Sequence, residues 1–155
     1  MLFAAAMALS FLESMLLSSA VLPPGMRLGL SNIVTMYALF SLGKKEGLSV
    51  AVLKSLFVLM TRGAVAASMS FAGGILSIVM MIAISKLFSA DKNYVLLSVC
   101  GGIAHNVGQL IVAYFMLGDA MLYYAPLLML SGAAMGTVTG VVLRVVMPHI
   151  NRLNI

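Results

Sequence analysis

Charged side chains are scarce in this chain of 155 residues: they make up 8% of it, whereas hydrophobic residues make up 63%. A soluble domain carries about 25% charged residues, which cover its surface against water. The mean hydropathy of this chain is +1.14. The composition excludes an ordinary soluble domain and predicts an integral membrane protein whose main solvent is lipid.

Cysteine occurs once, as Cys100 in an apolar run. A single cysteine cannot build a disulfide framework or a Cys/His metal cluster, so we expect no bound metal. We interpret Cys100 as a small buried hydrophobe. The sequence also lacks a G-x-x-x-x-G-K-[ST] loop, which cradles the phosphates of ATP in many ATPases. We therefore expect no cofactor and no ATP hydrolysis in this chain.

Acidic residues are few, and nine Lys and Arg stand against four Asp and Glu. In a soluble protein this excess could indicate nucleic-acid binding. Here the cations are scattered singly at the ends of hydrophobic segments, which is the pattern that sets orientation in a membrane. Nucleic acid is therefore not an expected partner, whereas membrane lipid is.

Long apolar runs are what the sequence does have, and Pro, Gly and charged residues divide them into six segments. We predict an all-α polytopic membrane protein with six transmembrane helices in one domain, residues 1–155. The first segment has no basic region before it and no convincing cleavage site, so we interpret it as a retained helix. The join between the third and fourth segments stays open between helix and buried loop. The segments cover about residues 3–22, 28–42, 48–61, 68–88, 94–117 and 127–147.

The cations are distributed unequally between the two sets of segment ends. One set carries six of them and the other carries two. Short loops rich in Lys and Arg face the cytoplasm, so we expect both termini to be cytoplasmic. The richer side holds Lys44, Lys45, Lys86, Lys92, Arg144 and Arg152, and the poorer side holds Arg27 and Arg62.

The fifth segment contains three strongly polar side chains within five residues: His105, Asn106 and Gln109. On a helix His105 and Gln109 share one face, with Asn106 beside them. Hydrogen bonds between helices could explain one such residue. Three of them favour a polar cavity, because polar groups inside a membrane are commonly functional.

Two opposite charges, Glu13 and Lys54, lie near the middle of their segments. A charge at this depth is costly unless it is paired or hydrated, so both should face the protein interior. We predict an intramembrane ion pair. Whether the pair is purely structural or also takes part in ligand binding stays open.

Further polar groups lie near the predicted outer surface. Arginines there face only one acidic residue, Asp119, so a cavity that opens outward would be net positive and would suit a small polar or anionic solute. The tyrosines could instead be ordinary interfacial anchors. The substrate-binding candidates outside the fifth segment are Arg27, Asn32, Arg62, Tyr123 and Tyr124.

Small residues recur at a spacing of four on the first and sixth segments. Gly132, Gly136 and Gly140 would form a flat strip that lets another helix approach closely. We predict packing within the molecule, with a dimer interface as the alternative. Ala4 and Ala8 form a similar but weaker strip.

Several stretches together resemble a known family. They are "LES", "PPGMRLGLSNIVTMYAL", "SFAGGILSIVMM" and "GGIAHNVGQLIVAYFMLG". They resemble the Gx transporter family, also known as heptaprenyl diphosphate synthase component I, and the likeness covers nearly the whole chain. This family is similar to the S components of energy-coupling factor (ECF) transporters.

The resemblance implies a multi-pass protein of the bacterial plasma membrane that captures a vitamin-like or precursor solute from outside. Its partners would be an ECF membrane coupling subunit and two ATPase subunits. In several S components an alanine strip on the first helix contacts the coupling subunit, and Ala4 and Ala8 match its spacing.

The synthase name can be tested against the residues. Elongation of a prenyl chain needs aspartate-rich clusters that hold Mg²⁺ against diphosphate. This chain has only Asp91 and Asp119, far apart in sequence, so we predict that it is not an enzyme by itself. The alternative to transport is a non-catalytic membrane subunit associated with prenyl diphosphate or quinone synthesis, or with a redox assembly.

Overall fold

The computed structural model describes residues 2–18, 30–88 and 93–152. Within these ranges every regular element is helical, which confirms the predicted all-α class. A π-helical turn, Ala38–Leu42, continues the second helix, and a 3-10 helix, Asp119–Tyr124, leads into the sixth. The helices are α1 Leu2–Ser18, α2 Leu30–Tyr37, α3 Lys44–Arg62, α4 Ala64–Ser85, α5 Tyr94–Leu117 and α6 Ala125–Arg152.

Two glycines set the ends of the helices around the join that the sequence left open. Gly63 has a φ of 85° and is the single residue between α3 and α4. Gly118, with a φ of 81°, ends α5 in the same way. Residues with a Cβ atom are strained at positive φ, whereas glycine is not. Glycine is therefore suited to the abrupt end of a helix at these two positions. The stretch after Gly63 is therefore helix, not loop.

Three stretches of the described chain are long and apolar enough to cross a membrane: Ala64–Ser85, Tyr94–Leu117 and Asp119–Pro148. The apolar stretch Ser31–Leu42 is shorter than the roughly 20 residues that a span needs. Helix α3 is 19 residues long but begins with two lysines and a glutamate and holds Lys54 in its interior. Three membrane-spanning helices are thus supported by length and composition, and the six-span arrangement stays a prediction.

The end of the sixth helix differs from the sequence prediction. We expected the segment to end at Pro148, but α6 runs through this proline to Arg152. A proline removes one backbone hydrogen-bond donor and crowds the preceding turn. Only one further turn follows Pro148, so the helix loses little by continuing.

Helix α5 is the central element, and its most extensive contacts are with α4 and α6. Glycines bring the backbones together on both sides. A Cβ added at Gly136 of α6 would lie 2.6 Å from the carbonyl oxygen of Ser98, and one added at Gly108 of α5 would lie 2.7 Å from that of Ala72. In lipid, helices associate through such close packing rather than through the hydrophobic effect. Helices α4, α5 and α6 therefore form a tightly packed unit. Helix α3 packs against α4, α2 packs against α6, and α1 packs against α2 and α3.

Candidate functional site: a polar cavity in the helix bundle

The three polar residues of α5 are all buried: His105, Asn106 and Gln109 expose 4%, 8% and 1% of their surface. Glycines of the neighbouring helices bring other backbones close to them. A Cβ at Gly73 of α4 would lie 2.8 Å from the carbonyl oxygen of His105, and one at Gly132 of α6 would lie 2.8 Å from Nδ2 of Asn106. The polar face of α5 is thus enclosed by α4 and α6.

Asn106 links α5 to α6 by hydrogen bonds. Its Nδ2 donates to the carbonyl oxygen of Leu128 and, over 3.2 Å, to Oγ of Ser131. Ser131 in turn donates to the same carbonyl over 2.9 Å. The amide nitrogen of Asn106 therefore has a structural role, and Asn106 also lines the cavity described next.

A cavity of about 40 Å³ lies between α2, α4, α5 and α6. Each of the four helices contributes at least one polar side chain to the wall, and methionines and glycines form the rest of it. The volume accommodates a few water molecules, not a vitamin-sized ligand. The polar side chains along it are Asn32, Ser77, Ser98, His105, Asn106 and Thr139.

A second cavity of about 10 Å³ lies beside the first, towards α3. Its wall includes Lys54, Thr35 and Ser70, and it shares Asn32, Ser77, Met81 and His105 with the larger cavity. The two cavities are therefore neighbouring parts of one polar interior. We refer to them as the larger and the smaller cavity.

Lys54 is held in this interior by Asn32. The ammonium Nζ donates a 2.8 Å hydrogen bond to Oδ1 of Asn32, and Lys54 exposes only 5% of its surface. Glu13 is buried on α1, which packs against α3. The predicted ion pair between Glu13 and Lys54 stays a prediction, and its two members are both buried as a pair of this kind requires.

Two buried polar side chains make no hydrogen bond within the described part of the chain. They are Gln109, through both amide atoms, and Ser70, through its hydroxyl. A buried polar group without a partner costs about 1–3 kcal/mol. Native proteins retain few such groups, and each one needs an explanation, such as a ligand or a bound water.

Comparison with known protein families gives a match over nearly the whole chain. The family model of heptaprenyl diphosphate synthase component I matches residues 2–146. The chain belongs to this family. No curated protein and no solved structure matches it. The family name implies a membrane-associated component of a synthase and a partner, component II.

Three other predicted site residues, Arg62, Tyr123 and Tyr124, are not among the described residues that line either cavity. Arg62 is exposed at the end of α3, and Tyr123 and Tyr124 are exposed on the 3-10 helix, Tyr123 by 89%. Such exposed tyrosines fit the interfacial anchors that the sequence left as their alternative. Arg27 lies outside the described residues.

The two strips of small residues differ in their exposure, since one is exposed and the other is buried. Ala4 and Ala8 are exposed on α1. Gly132, Gly136 and Gly140 are buried against α5: a Cβ at Gly140 would lie 2.6 Å from Cα of Val95. The glycine strip therefore packs inside the molecule.

Sequence reasoning missed the hydroxyl residues of the cavity walls. Ser70 and Ser77 lie seven residues apart on α4, on the same face as Gly73 and Gly74. Serines in an apolar helix give a weak signal, because a hydroxyl can bond to the carbonyl four residues earlier without any neighbour. Their alignment with the glycine face was the signal that could have identified them.

Proposed function

We propose that this chain is the solute-binding S component of an ECF-type importer. The observation that carries the proposal is the polar interior shared by the two cavities. It lies in a bundle whose outside is covered with large apolar side chains. Polar groups inside a membrane are expensive and typically mark a substrate pathway. The solute would be small, polar and taken up from outside.

The proposed topology has six spans with both termini in the cytoplasm, in the bacterial plasma membrane. The excess of Lys and Arg at one set of helix ends supports this orientation. In this arrangement α4 begins at the outer surface and α5 ends there. The outer ends of α4 and α5 then flank the route by which a solute reaches His105 and Gln109.

The proposed partners are a membrane coupling subunit and two ATPases, with Ala4 and Ala8 as the strip that contacts the coupling subunit. Both alanines are exposed, as a docking strip requires. Replacing both with leucine should abolish transport because the partner helix can no longer approach closely, while solute binding to the isolated protein is retained. Loss of binding, or undiminished transport, would contradict this role.

Solute binding requires the interior to widen. Ligand pockets typically measure about 300–1,000 Å³, far more than the larger and the smaller cavity, which measure about 40 and 10 Å³. Backbone contacts between glycines close the interfaces of α5 with α4 and α6. We propose that α2, which contributes Asn32 and Met36 to the wall, moves away from this unit to admit the solute.

Uptake of labelled candidate solutes, measured with and without the coupling module, tests the proposal. Thr139 of α6 lines the larger cavity and Thr137 of the same helix is exposed, so the two form a matched pair. Thr139→Val should reduce uptake and Thr137→Val should not. Uptake that does not depend on the module, or equal effects of the two variants, would contradict the proposal.

The second candidate function is a non-catalytic membrane subunit of prenyl diphosphate or quinone synthesis, or of a redox assembly. The family name favours the synthase form. Purification of the chain from membranes distinguishes the candidates: co-purification of a soluble prenyl synthase subunit supports this one, and co-purification of ATPases supports the importer.

A further inference from the structure

We infer that Gln109 of α5 and Ser70 of α4 form a hydrogen-bonding subsite for an uncharged group whose N–H donor and carbonyl acceptor lie side by side. Lactams and carboxamides have such a group, which we call an amide edge. The inference rests on the proposed function and adds a chemical class to it: the solute is a neutral molecule with an amide edge.

Both side chains are buried with hydrogen-bonding groups that are not used. Gln109 is 1% exposed and Ser70 is 2% exposed, and within the described ranges neither side chain has a hydrogen-bond partner. A serine in a helix can donate to the carbonyl oxygen four residues earlier. Ser68 of the same helix does so, over 2.9 Å to Ala64. Ser70 does not, so its hydroxyl is available to a group inside the bundle.

The interface between α4 and α5 places the two side chains at the same level of the bundle. A Cβ added at Gly73 of α4 would lie 2.8 Å from the carbonyl oxygen of His105, and one added at Gly108 of α5 would lie 2.8 Å from Cα of Gly73. The two helices are antiparallel along this interface. Ser70 lies one turn before Gly73, and Gln109 lies one turn after His105. Both therefore lie at the same end of the contact.

Gln109 continues the face of α5 that lines the larger cavity. Ser98 and His105 line this cavity. Ser98, His105 and Gln109 recur at spacings of seven and four residues, which repeat one face of a helix. Gln109 is therefore one turn nearer the end of α5 than His105. In the proposed topology this end is the outer one, so the amide lies on the route that opens when α2 moves away.

The amide of glutamine can bind an amide edge through two hydrogen bonds at once. Its Nε2 donates to the carbonyl oxygen of the solute, and its Oε1 accepts from the N–H beside that carbonyl. The hydroxyl of Ser70 can donate to the second lone pair of the same carbonyl oxygen. A ketone or an ionised carboxylate has no N–H for Oε1. Such a solute would leave a buried polar atom unpaired, which is how a hydrogen-bonding site rejects an analogue.

The test is the thermal stability of the purified protein in lipid nanodiscs, titrated with γ-butyrolactam and with cyclopentanone. The two probes are rings of the same size, and only the lactam has an N–H beside its carbonyl. A ligand that binds only the native state raises Tm in a saturable way. The lactam should do so, and cyclopentanone should bind about tenfold more weakly. Equal affinities would overturn the inference. Absence of a saturable rise with the lactam would also overturn it and would indicate that water alone bonds to Gln109.

Three variants locate the effect. Gln109→Met removes both amide atoms and should weaken lactam binding about tenfold or more, and Ser70→Ala should weaken it about fivefold. Ser68→Ala is the matched control, because its hydroxyl is already bonded to Ala64, and it should bind the lactam as the unmodified protein does. Equal weakening in the Ser68 and Ser70 variants would overturn the inference.

If Gln109→Met does not fold, Ser70→Ala decides, because removal of an unbonded hydroxyl should leave the fold intact. Unchanged lactam affinity in Ser70→Ala would then overturn the subsite. Failure of the subsite and failure of the importer can also be told apart. Coupled uptake of a solute that Gln109→Met leaves unchanged refutes only the subsite. Lactam binding that depends on Gln109, without coupled uptake, supports the subsite and refutes only the importer.

Discussion

Replacement of Gln109 by methionine should make the protein more stable and less able to bind its solute. Gln109 is 1% exposed, and neither amide atom has a hydrogen-bond partner among the described residues. Methionine has a similar length and is flexible enough to fill the same space. The change therefore removes two unsatisfied polar atoms without opening a cavity.

The size of the gain follows from the cost of the unbonded groups. Each would cost about 1–3 kcal/mol in a soluble protein. In a membrane the polar groups of the unfolded chain also find hydrogen-bond partners. The measured contribution of a hydrogen bond between transmembrane helices therefore averages only about 0.6 kcal/mol. We expect Gln109→Met to stabilise the protein by about 1–2 kcal/mol, which corresponds to a rise in Tm of roughly 2–8 °C for a chain of this size. Solute affinity should fall about tenfold if the amide bonds to the ligand.

Thermal unfolding in nanodiscs and ligand titration on the same preparation measure both effects. Asn106→Leu is the contrasting variant, because Asn106 does bond to Leu128 and Ser131 and should lose about 1–3 kcal/mol of stability. A Gln109→Met protein that is less stable than the unmodified one would refute the reasoning, since its amide would then have native partners. Unchanged solute affinity would show that the Gln109 amide does not contact the solute.

Two further predictions concern packing and orientation. Gly136→Ala should destabilise the protein by about 1–3 kcal/mol, because its Cβ would lie 2.6 Å from a backbone oxygen that cannot move freely. Gly74→Ala is the control: its Cβ would lie 3.4 Å from a side-chain carbon, so it should be neutral or stabilising when the two variants are compared by thermal unfolding. In a cysteine-free background, a cysteine at Asp119 should react with an impermeant thiol reagent added outside cells, and one at Gly43 should not. Labelling at Gly43 in sealed cells would contradict the proposed orientation.

The sequence predicted the helical elements well where long apolar runs are bounded by strong breakers. The fifth segment was predicted at residues 94–117, and α5 has these bounds. Asn93 precedes the first residue of α5 and Gly118 follows its last residue, so both ends are marked in the sequence. The end of α6 was predicted less well, because a proline near a helix end disfavours further helix without forbidding it.

The position of a site residue could be predicted from the sequence when exposure of its side chain to lipid would cost much free energy. His105, Asn106 and Gln109 cannot face hydrocarbon cheaply, so the sequence alone indicated that they would be buried. Arg62 and Tyr123 lie at helix ends, where a side chain can turn either towards the bundle or towards the membrane surface. Sequence carries little information on that choice, and the structure has both exposed.

The single-residue connection at Gly63 has a mechanical consequence for the interior. Consecutive Cα atoms are about 3.8 Å apart, so one glycine allows α3 and α4 to splay but not to slide past each other. Lys54 on α3 and Ser70 on α4 both line the smaller cavity, and they lie nine residues before and seven residues after this glycine. A movement of the two helices that separates these side chains would therefore be a rotation of one helix relative to the other about Gly63.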